Sequence, residues 1–301
     1  MKAAAIQMIS TPRVDENFTQ ARALIAQAAQ AGAELVALPE YFCLMGQRDA
    51  DKLAIAEPLA DADHPATAST PMQHILAETA KEHGIWLVGG TLPIRAPDSD
   101  KVYNTTLVYD PQGRRVARYD KIHLFCFDDG ERRYDEATTL RPGDEPVAFT
   151  LTDSSGTDWR IALSICYDLR FPELFRQLGA AQPLDLIVLP AAFTDTTGKA
   201  HWELLLRARA VENLCHVLAP AQGGRHENGR TTFGHSMVIG PWGEVLAVQA
   251  EGPGIVLADL SLARQQQVRA QLPALQHRVL QPLLTVARQT TVHHRGDDAS
   301  G

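Results

Sequence analysis

The chain has 301 residues, 45% hydrophobic and 21% charged, which is ordinary for a water-soluble globular enzyme and long enough to build a large core. Its 28 basic and 36 acidic residues give a net charge of −8, and the basic residues never gather into a patch. Nucleic acid is therefore excluded as a partner, and an anionic substrate has to be met by local arginines.

In chain order, AAAIQMI reads as a strand, and Asp15 is placed to cap the helix that follows, ENFTQARALIAQAAQ, which closes near Gly32. ELVALPE is a buried strand, and PMQHILAETAKEHG a helix ending on Gly84. IWLVGGTLPI and TTLVYD are strands, and the turn DPQG leads by a hairpin into RRVARYDKIHLF. AFTLTD and WRIALSICYD form an antiparallel pair about SSGT; PELFRQLGAA is a helix with Pro172 in its first turn. DLIVLPAAF, the helix HWELLLRARAVENL, HVLAPAQ, the hairpin SMVIGPWGEVLAV, GIVLADL and a last helix LARQQQVRAQL complete the series.

Helices interleaved with buried strands and hairpins predict an α/β fold, a mixed sheet or sheets covered by helices. No Gly/Ser/Pro-rich linker divides the chain, so residues 1–285 are read as one domain and the polar stretch 286–301 as a loose tail. ELVALPEYF (34–42) is echoed by DLIVLPAAF (185–193), which marks two strands expected to end on one face of the molecule. The start, MKAAAIQMIS, is too short in apolar residues for a secretion signal, and no stretch nears the ~18 apolar residues of a membrane span. The four cysteines, Cys43, Cys126, Cys166 and Cys215, are far apart and form no CxxC pair, which suits free thiols in a reducing cytoplasm.

Cys215, inside ENLCHVLAP, reads as a small buried hydrophobe, and the same reading is favoured for Cys43 and Cys126. Cys166 differs, because it stands where a strand stops before a proline-started helix. Such an elbow exposes a side chain and turns the following N–H groups toward a developing oxyanion, so Cys166 is either a core filler or a nucleophile. A thiol attacking an amide needs a base or a cation beside it. Spacing flags none of the eleven histidines, His123, His201 and His235 included. Glu40, at the end of the apolar run LVALP, and Lys121, beside an apolar stretch in RYDKIHLF, stand out instead. Each also reads as an ordinary solvated charge, at a strand end and on a hairpin.

LPE around Glu40, YDKIHLF around Lys121 and CYDLRFPE around Cys166, in that order, resemble the three signatures of the nitrilase, or carbon–nitrogen hydrolase, superfamily. The resemblance covers nearly the whole chain. Through AAFTDTTGKAHWELLLRARAVEN, GHSMVIGPWGEVLA, EGPGIVLADL and LPALQHR it is strongest with the deaminated-glutathione amidases. It implies a four-layer α-β-β-α sandwich and a Glu40–Lys121–Cys166 constellation that needs neither metal nor organic cofactor. In it, Glu40 takes the thiol proton as Cys166 attacks the amide and later returns it to the amine. Lys121 and the Tyr167 N–H hold the oxyanion, and water hydrolyses the thioester acyl-enzyme.

RYDEATTLRPGD resembles the family stretch that carries a further acid, so Glu136 is expected beside Lys121, its other reading being a loop charge. FCFDDGERRY departs from the closest amidases, in which an Asp commonly stands where this chain has Cys126, and this bears on substrate identity. By likeness to the family's pocket, Phe193 is an apolar wall and Thr197 a hydroxyl donor, while Trp202 reads as core. Arg170 is placed to bind a substrate carboxylate, or else to pair with Asp168 or Glu173.

The resemblance thus implies a small-molecule amide substrate with an acidic or α-keto acid acyl group. Deaminated glutathione, cleaved to 2-oxoglutarate and cysteinylglycine, is the first choice. An ω-amidase, a nitrilase or an N-carbamoyl hydrolase would use the same three residues. A non-catalytic module keeping the fold is disfavoured, because all three reactive positions are filled. HxH, HExxH and CxxC are missing from the sequence, which argues against a metal site. Family members are usually homodimers or larger, and the segment QHRVLQPLLTVA is an arm suited to pack across a partner.

Overall fold

A computed structural model describes residues 1–60, 69–128, 130 and 133–280. The first half of the chain lays down β1 (Lys2–Gln7), α1 (Val14–Gln30), β2 (Leu35–Ala37), α2 (Asp51–Ala54), α3 (Pro71–His83), β3 (Trp86–Val88), β4 (Leu92–Arg95), β5 (Val102–Tyr109) and β6 (Arg115–Asp120). A small hairpin, β7 (Cys126–Asp128) with β8 (Arg133–Asp135), follows. The second half supplies β9 (Ala148–Thr152), β10 (Asp158–Leu163), α4 (Pro172–Leu178), β11 (Leu186–Val188), α5 (Asp195–Asn213) and β12 (His216–Ala219). After these come β13 (Gly223–Arg225), β14 (Thr231–Phe233), β15 (Ser236–Ile239), β16 (Val245–Gln249), β17 (Gly254–Asp259) and α6 (Leu262–Gln271). The end of the expected domain, 281–285, and the tail 286–301 lie outside the described residues.

Among the described residues one sheet has the order β17-β1-β2-β3-β5-β4, with β6 on β5, and the other the order β16-β15-β12-β11-β10-β9. β1, β2 and β3 are parallel, flanked by antiparallel β17 and β5. β10, β11 and β12 repeat the arrangement, flanked by antiparallel β9 and β15. The two strands of the sequence echo, β2 and β11, therefore occupy the same central place in their sheets.

Side chains alternate across a strand, and that period separates the layers. Ala3 and Ala5 of β1 with Leu35 and Ala37 of β2 share one core with Ile161 of β10 and Val217 of β12, so the sheets pack face to face. Ala4, Ile6 and Val36 point the other way, into a core with Phe18, Leu24 and Ile25 of α1 and Leu76 and Ala80 of α3. α4 and α5 cover the second sheet through Leu174, Phe175, Trp202, Leu206 and Ala210. The result is the α-β-β-α order expected.

Local chemistry shifted some boundaries. α3 starts at Pro71 and stops on Gly84 at φ +62°, a left-handed position that suits glycine. The N-cap of α1 is Arg13 rather than Asp15, which instead sits in the first turn where its charge opposes the helix dipole. α5 begins at Asp195, earlier than the expected His201, because the Thr194 hydroxyl accepts from the Thr197 N–H at 3.3 Å and caps the helix there. Among the described residues no helix is long and apolar enough to cross a membrane.

Candidate active site

β2 runs out through Leu38 and Pro39 into Glu40, which is 1% exposed. The chain can turn there because the facing residue is Gly90, at φ +56°; a Cβ on it would stand 2.4 Å from the Pro39 carbonyl. On the other sheet, β10 runs out into Cys166, whose φ of +47° is a strained conformation for a residue with a side chain. The Cys166 N–H donates to the Pro190 carbonyl at 2.9 Å, beyond the end of β11. Cys166–Arg170 form one turn of 3₁₀ helix, and Tyr167, second in that turn, has no partner inside it for its N–H.

Asp168 fixes this elbow. It is fully buried and accepts from the Ile165 N–H at 2.8 Å, the Tyr119 hydroxyl at 2.7 Å and the His123 N–H at 3.1 Å. The His123 ring, Nδ1 2.7 Å from the same carboxylate, stacks on Phe171. Asp168→Ala strands these buried donors, so we expect a stability loss of about 3 kcal/mol or more and a fall in kcat as the elbow loosens. Urea unfolding together with steady-state kinetics checks both; a variant as stable and as fast as the wild type contradicts the assignment.

Four of the expected residues meet at the floor of a cleft. Lys121 Nζ lies 2.8 Å from Glu40 Oε1 and 3.0 and 2.9 Å from the two oxygens of Glu136. The Cys166 thiol lines the same cleft as Glu40 and Ala192. Asn104 donates to Glu40 Oε1 at 2.9 Å, while the Tyr41 hydroxyl and the Phe125 N–H, each at 2.7 Å, hold the two oxygens of Glu136.

Electrostatics divides the two carboxyls. Burial raises Glu40 above the usual carboxylate range, and Lys121 only partly offsets it. Burial also opposes charge on Glu136, but there Lys121, the Phe125 N–H and the Tyr41 hydroxyl prevail and hold it low. Burial disfavours the Lys121 ammonium, yet Glu136 and Glu40 keep it well above the ordinary lysine value. Burial, followed by the charge of Glu40, pushes the Cys166 thiol well above the usual thiol value. One lysine thus sits between an acid that stays ionised and an acid suited to exchanging a proton, next to a thiol that keeps its own until a base takes it.

The cleft encloses about 720 Å³ of empty space, its open mouth included. Cys166, Glu40, Glu136, Tyr167, Arg170, Phe193 and Thr197 all line it, as does Ala192 after β11, so the two echoed strands do end on one face. Among the described residues no histidine lines it. Arg170 stands 5.4 Å from the Phe193 ring and 3.3 Å from His201 Nδ1 and meets no carboxylate among the described residues, so the alternative pairing with Asp168 or Glu173 does not form. The Thr197 hydroxyl lies 2.9 Å from that of Thr194, and Trp202 is core behind Phe193. Cys43 and Cys215 are buried, whereas Cys126 is exposed on β7, which pairs with β8 in a two-stranded hairpin. Tyr41, Asn104, Asp168 and Arg230 were missed; for Asp168 the one weak signal is an acid two residues after the elbow cysteine. Among the described residues no group of three or more His, Cys, Asp or Glu is arranged to hold a metal ion.

Residues 2–270 match the family model described as carbon–nitrogen hydrolase. The deaminated glutathione amidase of Synechocystis is 43% identical over 280 residues, 92% of this chain and 97% of that one. The omega-amidase of Xenopus tropicalis is 37% identical, covering 89% and 91% of the two chains. In structure, the Caenorhabditis elegans NitFhit protein matches with a TM-score of 0.81 and 36% identity over 92% of this chain, which spans 65% of the length of that one. The chain belongs to the carbon–nitrogen hydrolase family and is an amidohydrolase.

Proposed function

We propose that this enzyme cleaves linear amides through a thioester on Cys166. The observation that carries the reading is the Lys121 ammonium clasped between the carboxyls of Glu40 and Glu136 at the floor of the cleft that bears the thiol. Glu40 takes the thiol proton as sulfur bonds to the carbonyl carbon, and the oxyanion is met by the Lys121 ammonium and the Tyr167 N–H. Collapse breaks the C–N bond, and the amine leaves with the proton from Glu40. Water, losing a proton to Glu40, then attacks the thioester, and the carboxylic acid leaves as the thiol regains its proton. Glu136 stays ionised and keeps Lys121 charged and aimed.

The substrate in this reading is deaminated glutathione, giving 2-oxoglutarate and cysteinylglycine. It is supported by the likeness to the amidases of that name and by Arg170, a cation without a carboxylate on the cleft wall with Phe193 and Thr197. Incubation with deaminated glutathione, α-ketoglutaramate and neutral amides side by side tests it. The highest kcat/KM is expected for the first, whereas a preference for α-ketoglutaramate supports the ω-amidase reading that the Xenopus tropicalis relative favours. Arg170→Ala is expected to raise KM for acidic amides by about tenfold to a hundredfold, the loss of a charge-assisted bidentate contact, and an unaltered KM overturns the clamp.

The same reading has residues 1–285 acting as one domain in the cytoplasm, as a homodimer. Support for the dimer comes from the edge strand β16 with Val248 51% exposed, the adjoining turn with Trp242 53% exposed, and Leu204, 67% exposed, on α5. Sedimentation is expected to give twice the chain mass for the wild type and less for Leu204→Glu. A wild-type monomer contradicts this.

A further inference from the structure

Past Tyr41 and Met45 the cleft continues into a side pocket that Arg48, Asp49, Lys52 and Arg230 line. The carboxylates there are spoken for. Arg230 Nη2 binds Asp49 at 2.7 Å and its guanidinium lies 5.3 Å from the Tyr134 ring. Asp51 accepts from the Arg48 N–H at 3.0 Å and side chain at 3.3 Å. What remains is Lys52. Its ammonium sits 5.1 Å from the Tyr41 ring, the same Tyr41 whose hydroxyl holds Glu136, and it forms no hydrogen bond or ion pair among the described residues, the charges of Glu136 and Asp49 reaching it only through space.

A partly buried cation resting on an aromatic face gains less than it loses in hydration unless an anion completes it. Arg230 spends one of its five donors on Asp49, which orients the guanidinium and leaves others directed elsewhere. Three cations, Arg48, Lys52 and Arg230, and one carboxylate, Asp49, line this side pocket in a chain of net charge −8, so the positive charge here is local and not a general surface field.

We propose that Lys52 and Arg230 form a second carboxylate subsite that binds the amine half of the substrate. The cleft then grips a substrate at both ends: Arg170 takes the acyl-side carboxylate on the Tyr167–Phe193 wall, and Lys52 with Arg230 takes a carboxylate of the departing amine on the Tyr41–Tyr134 wall. The substrate class is an amide whose leaving group is an amino acid or short peptide with a free C-terminus. Amides that release only ammonia leave this corner empty. The inference rests on the amidase reading above and specifies which amides that reading admits.

The test uses a matched pair, deaminated glutathione and its C-terminal carboxamide, which share acyl group, scissile bond and length. The wild type is expected to favour the free acid in kcat/KM by about tenfold or more, the worth of one lost charge-assisted contact. Lys52→Met and Arg230→Gln are each expected to shrink that preference toward unity, chiefly through KM. Because the wild-type comparison needs no variant, poor folding of either cannot decide the matter. Acid and carboxamide hydrolysed equally well by the wild type overturn the subsite and leave the chemistry standing. Failure of the wild type to hydrolyse any amide overturns both.

Discussion

Cys166→Ala is expected to lower kcat by about four orders of magnitude or more, the size of effect seen when a nucleophile is removed from a covalent mechanism. The fold is expected to survive. The elbow is fixed by the Cys166 N–H on Pro190 and by Asp168 and its donors, none of which needs the sulfur. Alanine carries a Cβ as cysteine does, so the φ of +47° is equally strained in both and stability changes little. Kinetics with circular dichroism and a thermal melt check the two halves separately. Residual activity near the wild-type level removes Cys166 from the mechanism.

Lys121→Met is expected to damage both stability and rate. In the wild type its ammonium is shared by Glu40 and Glu136 in a buried site. Methionine fills the space but leaves two carboxyls facing one another with no counter-ion, a loss of about 3–5 kcal/mol at neutral pH. For a chain of this length the Tm falls by on the order of 10 °C. Turnover falls by a further factor of about 10²–10³ at least, the cost of losing one oxyanion donor.

The sign of the pH dependence follows from the carboxyls. Glu40 is already raised in the folded wild type, and removing the ammonium raises both acids. Groups whose folded pKa exceeds the unfolded value hold protons more tightly when folded, so the variant loses stability as pH rises through that window. It regains stability as pH falls toward about 4, where unfolded carboxyls also take up protons. Urea unfolding at several pH values measures this; a stability gap to wild type that is flat in pH contradicts it.

Much of this was legible in the sequence because it is written locally. The apolar runs AAAIQMI and ELVALPE, the proline start and glycine stop of α3, and the elbow before PELFRQ are short-range signals, and the structure keeps them. The repeated apolar-run-then-proline at residues 34–42 and 185–193 also located two strands that end at one cleft. What was not legible is long-range. Asp168 reads as one charge in a polar run, and only the fold reveals Tyr119 and His123 as its partners. Asn104 lies inside an ordinary strand pattern yet faces Glu40, 64 positions away. Arg230 sits in a turn-rich stretch, HENGRTTF, with nothing nearby to mark it. Helix starts also shifted: the Thr194 side chain caps α5, which begins at Asp195 in place of His201, and α1 starts after Arg13, without a side-chain cap from Asp15. Cys126 was misjudged because burial of a thiol depends on what packs on its strand, and β7 lies in a two-stranded hairpin that leaves this thiol exposed.

That exposed thiol also governs how the nucleophile has to be identified. Cys126 will react with a simple alkylating agent, and the Cys166 thiol is held protonated, so general labelling does not separate them. The direct measurement is mass spectrometry of enzyme quenched in acid while turning over a reactive anilide, whose leaving group departs faster than water attacks the acyl thioester. The account predicts the acyl mass on the peptide carrying Cys166 and none on those carrying Cys43, Cys126 or Cys215. An unmodified Cys166 peptide, or the acyl group on another thiol, contradicts it.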